Sequence, residues 1–360
     1  MKKGFWLFLV ILLMAGCTQS PRNGDSPSDP GSGVVEQESG SSPVPAVGFT
    51  RAKPIPLGEQ ATTTEWNIRV KEFLRGADAL RIIREDAPDT PDAPAGFEYA
   101  IANIEIRCLA IDQNYHSISL SEMYMTGNHS LAYKDTMDEI PAPEFLYKDL
   151  FTAETATGWV DALIPVDEEG LILVYDRFET EDVRTTLYFE LQPGAAFAVP
   201  DLEKIKPTDL GATQEEPLKL GETAVNENWQ MRILEVVDGE EALRILKDEA
   251  SSELEVGMEY ALVRLWLKYI STDETPFSVS EYMFHSLDLN GTEYYSSDVN
   301  FSRPYQRDWL TGTLLPSAEV EGWVALKFDA GASGKLLLFT PEPYDSGIQF
   351  ESLRYFSLEK

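Results

Sequence analysis

Over most of the chain, apolar and polar residues alternate with a period of two. Trp66, Ile68 and Val70 alternate with Asn67, Arg69 and Lys71, and Trp229, Met231 and Ile233 alternate with Gln230 and Arg232. Such alternation marks a strand with one buried face. Further β-rich runs occupy residues 99–111, 119–126, 158–166, 171–175 and 186–191, and Asn290-Gly291 between two such runs is a strong hairpin signal. Two stretches break the period. Ala242, Ile245, Leu246 and Ala250 fall on one face of a helix, with Asp238 placed to cap it and Glu240 and Glu241 where the helix dipole favours negative charge. Ala79, Ile82, Ile83 and Ala87 repeat that face, with Asp78 near its start. A short strand through Leu80 and Ile82 is the competing reading. As helices closing their domains, these stretches should not tolerate aspartate at Leu80 or Ile245.

The helical stretches are nearly one text written twice. "ALRIIREDA" at 79–87 returns as "ALRILKDEA" at 242–250, an offset of 163. "LGE" at 57–59 and Trp66 recur at 220–222 and 229 with the same offset. "GFEYA" then matches "GMEYA", "SLSEMYM" matches "SVSEYMF", and Gly158-Trp159-Val160 matches Gly322-Trp323-Val324. "LILVY" at Leu171 pairs with "LLLF" at Leu336, and Tyr188-Phe189 with Tyr355-Phe356. The order never breaks, and the small drift of the offset fits insertions collecting in loops. The chain is a tandem duplication. Each copy has about 140 residues, an ordinary single-domain size. Residues 193–216, rich in Pro, Gly and charge, read as a linker. Seven or so strands per copy predict a mainly β protein: two independent antiparallel β-sandwiches, 54–192 and 217–360, each with one short helix.

Within each copy a "LGE" lead-in precedes a Trp-bearing strand, an "ALRII"-type helix and a "GxEY" strand, and a "GWV" strand then leads to "LLLF". This order resembles the immunoglobulin-like domain of unknown function found in bacterial surface lipoproteins, related in fold to secreted immunoprotective antigens of mycobacteria. The resemblance spans both copies and implies an architecture. It carries no catalytic residue to any position, and the Cys…Trp…Cys pattern of antibody domains does not occur.

The N-terminus adds an address. "MKKGFWLFLVILLMAGC" has Lys2 and Lys3, an apolar run from Phe5 to Met14, and the small residues Ala15 and Gly16 before Cys17. It has the form of a lipoprotein signal peptide, residues 1–17, with Met14 where leucine is usual, and the run is too short to span a bilayer. Cys17 is the expected lipid attachment site. Residues 18–53, rich in Ser, Gly and Pro, bury too little apolar surface to fold and read as a disordered tether. The expected location is the cell envelope, lipid-anchored and outside the cytoplasm.

Charge narrows the partners. The chain carries −32, and removing residues 1–17, with two lysines and no acids, leaves −34. Nucleic-acid binding needs basic clusters to displace phosphate counterions, so that class is set aside. Only Cys17 and Cys108 occur, and Cys108 alternates with Ile104 and Ile106 as a small core hydrophobe.

Candidate chemistry is sparse. "DAGASGKLLLF" from Asp329 lacks the first glycine and the hydroxyl of a phosphate loop, so its glycines are expected to turn the chain between strands. His116, His129 and His285 have no ligand spacing and read as loop residues. Glu122 and Glu281 are matched by the repeat, either as equivalent cation sites or, preferred here, as solvated edge residues. Trp66, Trp159, Trp229 and Trp323 read as packing residues rather than sugar platforms. An acidic loop follows each helix, with Asp86, Asp89 and Asp92 in one copy and Asp248, Glu249, Glu253 and Glu255 in the other. Neither has calcium-loop spacing, so solvated surface is the default and weak calcium binding the sharper alternative. No catalytic, cofactor or metal residue is assigned. The expected function is interaction without catalysis, with an envelope protein, surface polymer or small solute as partner; the alternative is an envelope hydrolase with a dispersed site.

Overall fold

The computed structural model describes residues 47–134, 146, 148–180, 183–194, 202–249, 254–296, 310–341 and 352–359. Cys17 lies outside them. The protein is mainly β, with antiparallel sheets and, among the described residues, two α-helices.

The first repeat contains β1 (Gln60–Thr62), β2 (Trp66–Arg75), α1 (Ala77–Asp86), β3 (Phe97–Cys108), β4 (His116–Ile118) and β5 (Met123–Thr126). β6 (Lys148–Leu150), β7 (Thr155–Pro165), β8 (Ile172–Thr180) and β9 (Val183–Glu190) complete it. The second contains β10 (Thr223–Val225), β11 (Trp229–Asp238), α2 (Gly239–Glu249), β12 (Met258–Tyr269), β13 (Phe277–Val279) and β14 (Phe284–Leu287). It ends with β15 (Glu293–Tyr295), β16 (Gly312–Leu314), β17 (Glu319–Asp329), β18 (Leu336–Phe339) and β19 (Arg354–Ser357). Sheet β1-β2-β3-β7 faces sheet β5-β8-β9, and β10-β11-β12-β17 faces β15-β14-β18-β19. The ladders β4–β6 and β13–β16 are also equivalent.

Alternation places one face of each sheet in a shared core. Trp66, Ile68, Val70, Ile104, Ile106 and Cys108 meet Met123, Met125, Leu173, Tyr175 and Phe189 in the first repeat. Trp229, Met231, Ile233, Val263 and Leu265 meet Phe284, Leu337, Phe339 and Phe356 in the second. Cys108 is fully buried, as its strand pattern predicts. The hairpin at Asn290-Gly291 joins β14 to β15, with Gly291 at φ 80°.

A bulge that the two-residue period conceals sits in both leading strands. Lys71 is extra between Val70 and Glu72, and the register of β11 shifts between Ile233 and Glu235. One extra residue reverses which side chains face inward. Phe73 therefore packs on the core while Leu74 points to the outer face, where α1 lies. There Ala79 and Ile83 are buried against Tyr99 and Ile101, with Trp159 and Leu163 packed alongside. α2 repeats this with Ala242 and Leu246 on Tyr260 and Leu262, beside Trp323. The helices thus cover a sheet face rather than closing an end. Two tryptophans fill the inner cores and two underlie helices. The helix entrance also differs from the expected aspartate cap. Asp238 is the last residue of β11, and α1 is entered through Gly76 at φ 61° and ψ −131°, with no side-chain cap. A strand passing straight into a helix needs this positive φ, and a Cβ on Gly76 would lie 2.7 Å from the Glu98 carboxylate.

The repeat begins earlier than its sequence signals suggest. Tyr188 donates its N–H to Gly48 at 2.9 Å, as Tyr355 does to Gly211 at 2.8 Å. Ile55 and Leu218 form matching parallel bridges to Phe189 and Phe356. Gly48 and Gly211 are again 163 apart. Residues 47–53, read as the end of the tether, are therefore anchored on the fold, with Arg51 fully buried, and the described part of the linker is anchored at Leu202 and Gly211 while most of its other residues stay exposed. Each segment meets β9 or β19 through that one carbonyl and closes further backbone bonds in its own turns, which requires little apolar surface of its own.

Candidate functional site

Repeats of like polarity build like cores, so positions where the two copies differ in polarity locate specialised chemistry. Several of these lie where the two repeats meet.

Arg51 is the centre of that joint. The turn closed by Gly48 N–H to Lys53 C=O, 2.7 Å, lays it between the repeats. Its Nε donates to Glu274 Oε2 at 2.7 Å, Nη1 to Ser130 Oγ at 3.0 Å, and Nη2 to the Pro316 carbonyl at 3.0 Å. Ser130 Oγ also meets Ser317 Oγ at 3.0 Å. A fully buried guanidinium is tolerated because its donors are met by a carboxylate, a hydroxyl and a carbonyl. Beside it, Ala132 donates to Thr313 C=O and Leu315 to Ser130 C=O, both at 2.8 Å. The first repeat thereby adds a short antiparallel strand to β16, through the Leu131–Leu314 bridge. Leu315, fully buried, packs on the outer face of the first repeat's sheet at Tyr124, Ile172, Val174 and Tyr188. Burial pushes the Tyr124 and Tyr188 phenols far above their ordinary range.

The docking segment is clamped from behind. The Glu168 carboxylate is fully buried and accepts from the His129 N–H at 3.0 Å and from the Tyr133 hydroxyl. His129 Nδ1 lies 2.7 Å from its second oxygen. A Cβ on Gly127 would overlap this carboxylate. The second repeat has Asn290 and Ala332 in place of His129 and Glu168.

The joint does not repeat itself outward. In the first repeat the edge equivalent to β16 is β6, with Asp149 for Thr313, Phe151 for Leu315 and Glu154 for Ala318. Phe151 donates its N–H to Glu154 Oε2 at 2.9 Å, whereas Leu315 gives its own to the other repeat. Gln214 and Gln113 stand where the joint has Arg51 and Glu274. Charges on an exposed edge discourage pairing with a second chain. Phe151, Ile111 and Tyr115 remain 51%, 96% and 61% exposed beside that edge. Replacing Asp149 by Thr and Glu154 by Ala should therefore make the chain sediment faster than wild type at equal concentration. Equal sedimentation would show that these carboxylates guard nothing.

The residues singled out by sequence are dispersed. Glu122 and Glu281 are not equivalent: β5 and β14 align Met123 with Phe284, which matches Glu122 to Met283 and Glu281 to Leu120. The "SE" pair misleads because the two 3₁₀ turns are in register, Leu120–Glu122 on Glu281–Met283, so that Glu122 ends its turn where Glu281 begins the other. Glu122 lies 3.4 Å from Arg177, and burial raises its carboxyl against the opposing pull of that arginine. Two histidines are strand residues rather than loop residues. His116 in β4 sits between Glu65 and Asp112 at the edge of Trp66, and His285 in β14 is buried against Glu293 and Tyr295. The glycines after Asp329 do turn the chain from β17 to β18, and Lys335 there pairs with Glu259. Of the acidic loops, Asp92 pairs with Arg84 at 2.8 Å and Glu255 with Lys327 at 3.1 Å. The side chains of Asp248 and Glu249, and all of Glu253, lie outside the described residues. Among the described residues no group of three potential ligands could hold a metal ion. No helix among them is long and apolar enough to cross a membrane.

Arg51, Glu274 and Glu168 are absent from the sequence-based candidates. Extending the repeat alignment upstream to Gly48 and Gly211 would have exposed the unlike pair Arg51 and Gln214.

No family model matches the chain, and no curated protein matches it. Among solved structures it is similar to ycdA, a candidate lipoprotein of Bacillus subtilis, at 17% identity and a TM-score of 0.28. That similarity covers 38% of this chain and 38% of the other. It is also similar to the yjhA protein of Bacillus subtilis, at 14% identity and a TM-score of 0.29, over 39% of this chain and 99% of that one.

Proposed function

We propose that this chain is a lipid-anchored, extracytoplasmic interaction protein whose two immunoglobulin-like sandwiches are presented as one rigid unit on a tether. The observation that carries this reading is the joint. Arg51 and Glu274, a shared β-pairing and the Leu315 contact hold the repeats in one arrangement. Surfaces held at fixed spacing lose little freedom on binding, which favours recognition of an extended partner such as an envelope protein or polymer. Cys17, behind its signal-like segment, supplies the anchor, since acylation tethers a chain without a spanning helix.

One observation favours the alternative of a hydrolase. Glu168 holds His129 by Nδ1, the arrangement that orients a general base. Among the described residues no hydroxyl hydrogen-bonds the other ring nitrogen, and Asp167 lies 3.9 Å from it. The clamp role, explained by the joint, is preferred.

The test is done in intact cells. The wild-type chain should partition into detergent and carry acyl label, and Cys17→Ser should lose both. Photo-crosslinking from positions on the exposed sandwich faces should give a discrete envelope adduct. An unmodified mature N-terminus would overturn the anchor. Turnover of envelope polymer that is lost in His129→Gln would establish the hydrolase instead.

A further inference from the structure

The second repeat carries a groove of about 1180 Å³ between residues 209–211, residues 215–220 and the end of β19. Its walls are built by backbone constraint. Gly211, at φ 67°, accepts from Tyr355 N–H at 2.8 Å, and Leu218 N–H donates to Tyr355 C=O at 2.9 Å. Both walls are thus fixed on the same strand before any ligand arrives, which lowers the entropic cost of binding. Leu210, Pro217 and Leu220 line it, and the two leucines remain 56% and 45% exposed. Large apolar side chains lining a concavity, rather than scattered singly, mark a binding surface.

The chemistry of the rim is one-sided. Among the lining residues Asp209, Glu215, Glu216 and Glu359 stand with one cation, Lys219, and Asp209 also feels the buried Arg354 behind it, which leaves the three glutamates in excess. The fold does not require this. The first repeat keeps the apolar positions as Val47 and Leu57, but has Ala52, Lys53 and Gln192 where the second has Glu215, Glu216 and Glu359. It also has Pro56 in place of Lys219. The two copies share a backbone frame and differ in the charge laid upon it.

We propose that this groove binds a cationic, partly apolar peptide segment. Its lysine or arginine side chains would meet the acidic rim, and its aliphatic side chains would lie between Leu210 and Leu220. This rests on the reading of the chain as an interaction protein and names one partner chemistry for it. A lone cation would gain nothing from the leucines, and a neutral apolar ligand nothing from the carboxylates. The combination selects a segment carrying both.

The probe is a fluorescein-labelled peptide of alternating lysine and leucine, titrated into the full mature chain at ~0.15 M salt, where long-range attraction is screened. The variant Glu215→Gln/Glu216→Gln/Glu359→Gln should weaken binding by about tenfold, and Leu210→Ser/Leu220→Ser by a similar factor. Lys219→Gln should tighten it. The control Glu59→Gln/Glu72→Gln/Glu235→Gln removes the same charge from exposed positions elsewhere, and should change affinity by less than about twofold. Equal weakening by the control, indifference to the leucine variant, or no saturable binding would each overturn the proposal. Persistence of the crosslinked envelope adduct in that case would leave the interaction reading standing with a different surface.

Discussion

Glu274→Ala should cost about 3–5 kcal/mol, more than Arg51→Ala, because it removes the carboxylate to which a fully buried guanidinium donates. Arg51→Ala instead leaves a carboxylate whose side chain is already 30% exposed and can turn to water. Arg51→Met should be the mildest of the three, within about 2 kcal/mol of wild type, since an apolar side chain of similar reach needs no partner. Adding Glu274→Ala to Arg51→Met should then cost little more, because the charge that needed Glu274 is gone. Urea unfolding gives these values, directly where one transition with an unchanged slope remains and as the sum over both transitions where the repeats uncouple. The joint also fixes the shape of the transition. Wild type should unfold in one step, and Glu274→Ala in two as the repeats uncouple. Equal costs for the two alanine variants would mean that Arg51 is not held by charge, and the rigid-unit reading would lose its main support.

The second large effect lies under the helices. Leu246→Asp should destabilise the chain by about 4 kcal/mol or more, since it removes a fully buried side chain and introduces a charge with no partner. Ile83→Asp in α1 should behave alike. Leu80 and Ile245, which helical periodicity makes equally attractive targets, are only partly buried, and aspartate there should cost about 1–2 kcal/mol. The duplicated nonapeptide is architectural under this prediction, and a loss below about 1 kcal/mol in Leu246→Asp would return it to the surface as a recognition element. Damage to the second repeat should also reach the first. When Leu315 is no longer held in place, Tyr124, Ile172, Val174 and Tyr188 lose their cover. Hydrogen exchange in β5 and β8 should therefore rise in Leu246→Asp, where independent domains would show no change.

Much of the architecture is local and so legible. The alternation at Trp66–Val70 and Trp229–Ile233, the helical face of "ALRIL" and the turn at Asn290-Gly291 each follow from the geometry of a few neighbouring residues. Duplication made the reading stronger, because two diverged copies share what the fold requires. Cys108 and the tryptophans at 66, 159, 229 and 323 follow the same apolar patterns, and the cores and helix undersides hold them.

What failed did so where partners are distant in sequence. The bulge at Lys71 is defined by what β3 pairs with, so the period of β2 alone cannot show it. Glu122 and Glu281 look equivalent because both follow Ser, yet cross-strand register sets them two positions from alignment. Arg51 sits in a Gly- and Pro-flanked stretch whose composition predicts no structure, and its carboxylate partner lies 223 residues away. The sequence by itself determined the mainly β class, the two copies and the helical face, because these depend on spacing along one segment. Only the tertiary structure decided that residues 47–53 fold, that Arg51 locks the repeats together, and that β6 is guarded while β16 is paired. Each of those depends on which buried donor meets which acceptor across the chain, and a single buried charge or unpaired edge must find that partner or destabilise the whole.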